Sequence, residues 1–343
     1  MRRTVTAFVS ALALASTLVL AGCGAALGGG SDSGGKEETT LRYQGSVGQV
    51  TVPEIAADLG YLGDLKLKWI GNTISGPQDI QSAATGQTEF GGAFNGAIVK
   101  LVAAGAPIKA VVAYYGVDKY SYSGFYVLNG APIHSARDLI GKKIGMNTLG
   151  AHSEAILDEY LTRNGFSQSE LSKVERVVVP PVNTEQSLRQ KQIDVAVLGS
   201  VLRDKALARG GIRPLFTDYQ LLGDFSAGSI VFTDRFIKAN PHTLQTFVAG
   251  ISKAIEWLRT TPRAQIIARF TEIIQKRGRK EDTTLPKYFT SIGVAGTGGV
   301  ISNEEFQRWI SWLDTHRQLK KKVTPSDVYT NEFNPYAKTA AGS

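Results

Sequence analysis

The stretch TEFGGAFNGAIVKLVAAGAPIKAVVAYY, residues 88–115, carries a complete strand–helix–strand pattern. TEFGGAF (88–94) predicts a strand that runs into a glycine-rich turn, and AIVKLVAAGA (97–106) predicts a helix. PIKAVVAYY (107–115) is rich in the β-branched and aromatic residues that are typical of a buried strand. This order predicts an α/β fold in which strands and helices alternate.

The same alternation continues on both sides of this stretch. Upstream, LRYQG (41–45) and LKLKWI (65–70) predict strands, each followed by a short helix. Downstream, the pattern continues to about residue 211, and SIVFTD (229–234) predicts a last strand. Helices are expected after it at about 235–260, 262–278 and 303–318. We therefore expect mainly parallel sheets flanked by helices, with the helical C-terminal third packing on the first sheet.

The order of elements predicts two α/β lobes with a cleft between them. Residues 41–124 and 229–335 are expected to form lobe 1, and residues 125–228 are expected to form lobe 2. Small-molecule sites commonly lie at such clefts and at the carboxyl ends of parallel strands. A ligand is therefore expected between the lobes.

The N-terminal residues 1–22 read as an export signal. Arg2 and Arg3 precede an apolar segment that is shorter than the roughly 20 residues of a membrane-spanning helix. Leu20-Ala21-Gly22-Cys23 resembles the lipobox of bacterial lipoproteins, in which the cysteine is acylated. Cys23 is the only cysteine of the chain, which excludes an intramolecular disulfide or a CxxC metal site. An ordinary signal peptide that contains a cysteine is the alternative.

Residues 23–40 are rich in glycine, serine and charge, so we expect a flexible tether that hangs the folded part from a membrane anchor. The chain carries 38 Lys and Arg residues against 30 Asp and Glu residues. Its basic clusters, KRGRK (276–280) and KKK (320–322), follow amphipathic helices and have no interleaved aromatic residues. They favour a solvated surface over nucleic-acid binding, and contact with an anionic membrane surface is a weaker alternative.

No motif in the sequence predicts catalysis, a metal site or a nucleotide cofactor. The four histidines have no paired metal-ligand spacing, and no GxSxG, P-loop or GxGxxG sequence follows a predicted strand. His152, Ser153 and Glu154 are neighbours in sequence, but adjacent residues on a helix point in different directions and cannot form a triad alone. We expect no catalytic residue, no metal and no cofactor.

Four strand-to-helix junctions supply candidate ligand-binding residues. A strand ends at Met146 and a helix begins near Ala151, and the exposed N–H groups of a first helical turn attract an anion or a polar oxygen. Elsewhere, glycines permit close backbone approach, amides and hydroxyls offer hydrogen bonds, and aromatic rings enclose a ligand. The candidates are Ser46, Gln49, Phe94, Asn95, Gly96, Tyr114, Tyr115, Thr148, Gly150, Ala151, His152 and Ser200.

Each candidate also has a purely structural interpretation. Thr148 and Gly150 can cap and turn the helix start, the glycines near Asn95 can serve a plain turn, and the tyrosines can pack in the core. Arg203 is a candidate anion clamp or, with slightly more support, a solvated helix charge.

Several segments, taken in order, resemble the substrate-binding proteins of ABC importers for aliphatic sulfonates, taurine and nitrate. They are TGQTEFGG (85–92), DLIGKKI (138–144) and SLRQKQIDV (187–195), within a similarity that covers about residues 41–315. The resemblance implies a type II periplasmic-binding-protein fold, hinge closure around a ligand, and delivery of that ligand to a permease driven by an ATPase. It also implies a monomer.

The resemblance leaves the ligand open. Relatives often carry Trp and Pro where this chain has Gly199-Ser200-Val201-Leu202, so the sulfonate preference does not transfer directly. We expect an extracytoplasmic, lipid-anchored receptor for a small polar or anionic organic solute. The alternatives are an enzyme of the same fold, for example one acting on a pyrimidine-type molecule, and a tethered sensor.

Overall fold

The computed structural model describes residues 36–337, and from Glu37 onward these form one compact unit. The predicted export signal, Cys23 and most of the predicted tether lie outside the described residues. The described strands are β1 (Thr40–Gly45), β2 (Lys66–Asn72), β3 (Phe90–Phe94), β4 (Ile108–Val117), β5 (Ser123–Leu128), β6 (Lys143–Met146), β7 (Glu175–Val178), β8 (Val195–Gly199), β9 (Ile212–Thr217) and β10 (Phe225–Thr233).

The helices fall between the strands in the predicted order, and most begin at a residue that suits a helix start. Thr51 and Ser302, for example, each form a capping box with a glutamate three residues on. The first group comprises α1 (Val52–Asp58), α2 (Gly76–Ala84), α3 (Asn95–Ala103), α4 (His152–Arg163), α5 (Gln168–Leu171), α6 (Pro181–Arg189), α7 (Ser200–Arg209) and α8 (Asp218–Leu222). The C-terminal group comprises α9 (Asp234–Ala239), α10 (Pro241–Thr260), α11 (Arg263–Lys276), α12 (Asn303–Thr315) and α13 (Pro325–Val328).

Two small sheets contain the strands from the two ends of the described chain. β1 and β2 pair in parallel, and β10 lies between β3 and β4, antiparallel to both. β3, α3 and β4 form the strand–helix–strand unit predicted from residues 88–115, but its two strands do not touch. The later strand β10 fills the gap between them.

The third sheet has five strands in the order β7-β6-β8-β5-β9. β6 pairs in parallel with β7 and β8, whereas β5 is antiparallel to β8 and β9. The expected α/β class is confirmed, but the sheets are mixed rather than mainly parallel. The reason is topological: the chain leaves one group of strands through β4 and returns to it through β10, so the outgoing and incoming strands run in opposite directions.

The chain passes between the two groups of strands at two short links. Residues 118–122 join β4 to β5, and residues 223–224 join α8 to β10. These links lie near the predicted crossings, while the division into lobes 41–124 with 229–335 and 125–228 stays a prediction.

A continuous apolar core supports the small sheets. The Phe90 ring lies 4.9 Å from the Phe247 ring and 5.7 Å from the Phe232 ring, so strands β3 and β10 are packed against α10. This fulfils the expectation that the C-terminal helices return to the first strands. No helix within residues 36–337 is long and apolar enough to cross a membrane.

Candidate functional site

Two adjacent cavities lie between the five-stranded sheet and the two small sheets, and together we call them the cleft. The first has a volume of about 340 Å³ and the second a volume of about 390 Å³. Volumes of this size suit a small organic molecule. The residues that line both cavities are Ser46, Gln49, Thr51, Tyr114, Tyr115 and His152.

The loop that follows β1 forms one wall of both cavities, and a buried ionic network fixes its shape. Arg277 donates to the Gln49 carbonyl oxygen at 2.8 Å, and Glu281 accepts from the Gly48 amide at 2.9 Å. The same guanidinium pairs with Glu54 at 2.6 Å and with Glu281 at 3.0 Å. The three charged side chains are almost fully buried and do not line the cleft. Their hydrogen bonds to the backbone of Gly48 and Gln49 hold the loop in place.

The hydroxyl of Tyr43 joins this network by donating to Glu54 at 2.7 Å. Burial, and then the negative charge of Glu54, raises the pKa of Tyr43 to about 12. Its hydroxyl therefore stays protonated at neutral pH and remains a donor.

Two tyrosines at the end of β4 form the centre of the cleft. The rings of Tyr114 and Tyr115 lie 4.9 Å apart and nearly perpendicular, at 79°. Burial raises the pKa of both hydroxyls, so both remain neutral. Glycines on the other two strands of this sheet make the space for them, since a Cβ on Gly92 would lie 2.6 Å from the Tyr114 ring and a Cβ on Gly228 would lie 2.0 Å from the Tyr115 ring.

The glycines of the GGAF segment lie inside β3 and not in the predicted turn. A Cβ on Gly91 would lie 2.4 Å from the carbonyl oxygen of Asp79, so the missing side chain lets α2 pack directly on the strand. The close approach allows the Gly92 amide to donate to Asp79 Oδ2 at 2.7 Å. Asp79 itself lines the second cavity.

His152, at the start of α4, lies between the two groups of strands. Its Nε2 atom is 3.2 Å from Oδ2 of the fully buried Asp218. Its ring stacks on Phe94 of β3, with ring centres 5.2 Å apart and an angle of 20°. The side chain therefore lies between an aromatic ring, on which it stacks, and a carboxylate, which it approaches without a hydrogen bond.

Ser200 lines the first cavity at the junction of β8 and α7. Its backbone has φ = 49°, which is uncommon for a residue with a side chain and turns the chain sharply from strand to helix. Arg203, one turn further on, does not line the cleft. Its buried guanidinium donates to the carbonyl oxygens of Tyr120 and Tyr122 at 2.7 Å each, so it is neither an anion clamp nor a solvated charge.

Eight of the twelve predicted ligand-binding residues line the cleft. They are Ser46, Gln49, Phe94, Tyr114, Tyr115, Ala151, His152 and Ser200.

The other four lie elsewhere. Asn95 is fully buried at the start of α3, where it accepts from the Ser229 hydroxyl at 2.8 Å and donates to the Ser226 carbonyl. Its role is to join α3 to β10. Gly96 and Gly150 line a separate cavity of about 170 Å³ near Trp309.

Thr148 does not line any of these cavities, and its hydroxyl is 3.4 Å from the Leu149 carbonyl oxygen. The Gly150 amide was expected to bind a ligand, but it donates to the carboxylate of Glu154 in α4. Gly150 has φ = 70° and makes the turn that precedes α4.

Sequence reasoning missed Asp79, Thr51, Tyr122 and Ser123, which also line the cleft. Thr51 carries a capping signal but no signal for a ligand. Asp79 looks like any polar residue in the first turn of an amphipathic helix. Only the packing of α2 on the glycines of β3 reveals that its carboxyl group reaches the cavity.

Residues 55–265, more than half of the chain, match the model of the family described as NMT1/THI5 like. The chain belongs to the NMT1/THI5-like family. No curated protein matches the sequence. Among solved structures, the chain is similar to the alkanesulfonate-binding protein SsuA from Xanthomonas axonopodis pv. citri, bound to MOPS. The TM-score is 0.67 at 18% identity, over 86% of this chain and 99% of the other.

Two further structures give the range of functions found on this fold. The periplasmic nitrate-binding protein NrtA from Synechocystis PCC 6803 has a TM-score of 0.67 at 13% identity, over 89% of each chain. The desulfurization enzyme DSZB has a TM-score of 0.58 at 15% identity, over 89% of this chain and all of the other. The resemblance to sulfonate- and nitrate-binding proteins is thus confirmed at the level of fold.

Proposed function

We propose that the protein is the extracytoplasmic solute-binding lipoprotein of an ABC importer. It captures a small organic solute in the cleft, delivers it to the permease and its ATPase, and performs no bond chemistry. The observation that carries the proposal is that one continuous cleft receives side chains from both groups of strands. Ser46 and Tyr114 approach from one side, and His152 and Ser200 approach from the other.

A ligand that contacts both sides stabilises the state in which they are close, because its binding energy differs between open and closed forms. The short links at 118–122 and 223–224 are the segments where such a motion requires the least rearrangement. Val47 and Ile74 on one side and Val182 on the other are exposed apolar residues that line the second cavity. Closure over a solute would shield them from water.

Binding is tested by thermal shift with sulfonates, taurine, nitrate and pyrimidines, together with native mass spectrometry of the gently purified chain. A ligand of the native state raises the melting temperature by mass action. Ser46→Trp, which places a large ring in both cavities, should abolish the shift. Ser172→Trp, at an exposed site outside the cleft, should retain it. If no solute raises the melting temperature and no compound copurifies, the solute-binding function is wrong.

Export and anchoring are tested separately. Acylation of Cys23 should be detected by metabolic labelling with a fatty acid, and Cys23→Ser should move the protein from the membrane fraction to the soluble fraction. A mature chain that still carries residues 1–22, or that remains in the cytosol, would contradict this part of the proposal.

An enzyme of the same fold is the second candidate, and one arrangement favours it. His152 pairs with Asp218 at 3.2 Å beside the cavity that Ser200 lines. However, His152 Nε2 has no hydrogen-bond partner within residues 36–337, so the nucleophile–base contact of such sites is not formed through this nitrogen. Mass spectrometry of a bound compound before and after incubation distinguishes the two candidates, since binding alone leaves the compound unchanged.

A further inference from the structure

The charged group that lines the cleft does not suit a sulfonate or a nitrate, because both are anions. Among the described residues that line its two cavities, Asp79 is the one Asp, Glu, Lys or Arg side chain. The nearby arginines are already paired. Arg203 is bound to backbone carbonyl oxygens, and Arg277 is bound to Glu54 and Glu281.

The two oxygens of the Asp79 carboxyl group have different surroundings. Oδ2 accepts from the Gly92 amide at 2.7 Å. Oδ1 is buried and has no hydrogen-bond partner within the described part of the chain. A buried carboxyl oxygen without a partner costs free energy, and a ligand, an ion or a water that reaches the carboxyl group lowers that cost.

Asp79 is fixed at this place by the backbone. Gly91 lets α2 pack directly on β3, and the Gly92 amide orients the carboxyl group. Burial raises the pKa of Asp79 to about 7, and the Gly92 hydrogen bond opposes this only partly. A positive or N–H-donating ligand would therefore lower the free-energy cost of ionising Asp79 at neutral pH, whereas an anion would raise that cost.

The remaining wall of the second cavity is apolar and aromatic beside a few hydroxyl and amide groups. Tyr114 lies close to Asp79, and Phe90, Ile74 and Pro77 contribute apolar surface. Aromatic faces attract cations and enclose planar ligands. The second cavity thus combines one buried acceptor with flat apolar walls.

We propose that the solute bound in the cleft is a planar organic cation or N–H donor that pairs with the Asp79 carboxyl group and lies against Tyr114, and not a sulfonate or nitrate. This inference rests on the proposed solute-binding function and names the chemical class of its ligand. Asp79 acts by touching the ligand directly. The ligand thereby brings a partner to a carboxyl group of which the described chain satisfies one oxygen, Oδ2.

The test is calorimetry and thermal shift at pH 8 with three probes that share one ring: benzamidinium, benzamide and benzenesulfonate. Taurine and nitrate complete the anionic set, and the charge of any copurified compound is determined by mass spectrometry. We expect benzamidinium to bind most tightly, benzamide less tightly and benzenesulfonate not detectably. This comparison uses the unmodified protein and does not depend on the folding of a variant.

Two matched variants then locate the effect. Asp79→Asn preserves the size of the side chain and an acceptor for the Gly92 amide, and it should weaken benzamidinium binding at least tenfold. Asp64→Asn removes the same charge at an exposed site outside the cleft and should leave the affinity unchanged.

Tighter binding of benzenesulfonate, taurine or nitrate, or a copurified anion, would overturn this inference and leave the solute-binding function intact. Benzamidinium binding that Asp79→Asn does not weaken would also overturn it. If neither set of probes binds and no compound copurifies, the inference and the proposed function both fail.

Discussion

The imidazole Nε2 of His152 lies 3.2 Å from the carboxylate Oδ2 of Asp218, and the other carboxylate oxygen accepts from the Ser123 amide at 2.9 Å. One buried carboxylate therefore accepts a hydrogen bond from the first residue of β5 and lies against a cleft side chain of α4. This link fixes two parts of the cleft wall relative to each other.

We expect Asp218→Ala to lower the free energy of unfolding by about 1–3 kcal/mol, because it leaves the Ser123 amide without its acceptor. It should also weaken solute binding, since it removes the carboxylate that lies against the cleft residue His152. Urea unfolding and calorimetry measure the two effects. Asp224→Ala, at an exposed site nearby, is the control and should change neither quantity. Equal stability of the two variants would contradict this account.

Alanine substitutions at the glycines that pack against Tyr114 and Tyr115 should lower stability by different amounts. At Gly228 a Cβ would lie 2.5 Å from the backbone oxygen of Ala93 as well as 2.0 Å from the Tyr115 ring, so Gly228→Ala should destabilise by about 1–3 kcal/mol. At Gly92 the clash is with the movable end of Tyr114, so Gly92→Ala should cost less and mainly reduce binding.

Gly130→Ala is the control for this series, because a Cβ there meets no atom within 4 Å. Its melting temperature should match that of the unmodified protein. The idea would be wrong if Gly130→Ala were as destabilising as Gly228→Ala.

The buried ionic network behind the Ser46–Gln49 loop predicts a large effect of removing Arg277. Arg277→Met leaves the carboxylates of Glu54 and Glu281 buried without their main partner, and we expect a loss of about 3–5 kcal/mol. Lys276→Met, on the neighbouring exposed side chain, should change stability by less than about 0.5 kcal/mol. Chemical unfolding of both variants checks the contrast, and a loss below 1 kcal/mol for Arg277→Met would refute it.

The raised pKa of Asp79 predicts a pH dependence of stability. The ordinary value is 3.8 and the value in the folded protein is about 7, so the folded state binds more protons between these values. The contribution of Asp79 to the free energy of unfolding therefore falls as the pH rises from about 4 to about 7 and is then constant.

Asp79→Asn should remove this decline, on the order of 1.4 kcal/mol for each unit of pKa difference. The measurement is the difference between the unmodified protein and the variant in urea unfolding at several pH values, because other carboxyl groups contribute equally to both. A difference that does not vary with pH would contradict the shift.

Much of the fold was predictable because the local signals agree with the final structure. The predicted strand at 41–45 is β1, and the predicted helix at 97–106 overlaps α3. The direction of pairing was not predictable. Nothing in SIVFTD indicates that β10 runs between β3 and β4, because that depends on the path of the chain through the five-stranded sheet.

The candidate site was predictable at the ends of strands, as at Ser46, Tyr115 and Ser200. It was not predictable where contacts with residues distant in sequence decide the role of a side chain. Asn95 has the right chemistry for a ligand, but two serines of β10 use its hydrogen-bonding groups. Asp79 has no distinguishing local sequence, and only its position against Gly91 and Gly92 brings it to the cavity.

The placement of β10 has a consequence for biosynthesis. Ser229 of this strand contacts Asn95, which lies 134 residues earlier in the chain. The sheet that holds both cleft tyrosines therefore lacks its middle strand until about two thirds of the polypeptide has been synthesised. Pairing over such a separation is slow, because a long loop must close first. If the chain is exported as proposed, this region would stay unfolded until late, which is the condition that translocation requires.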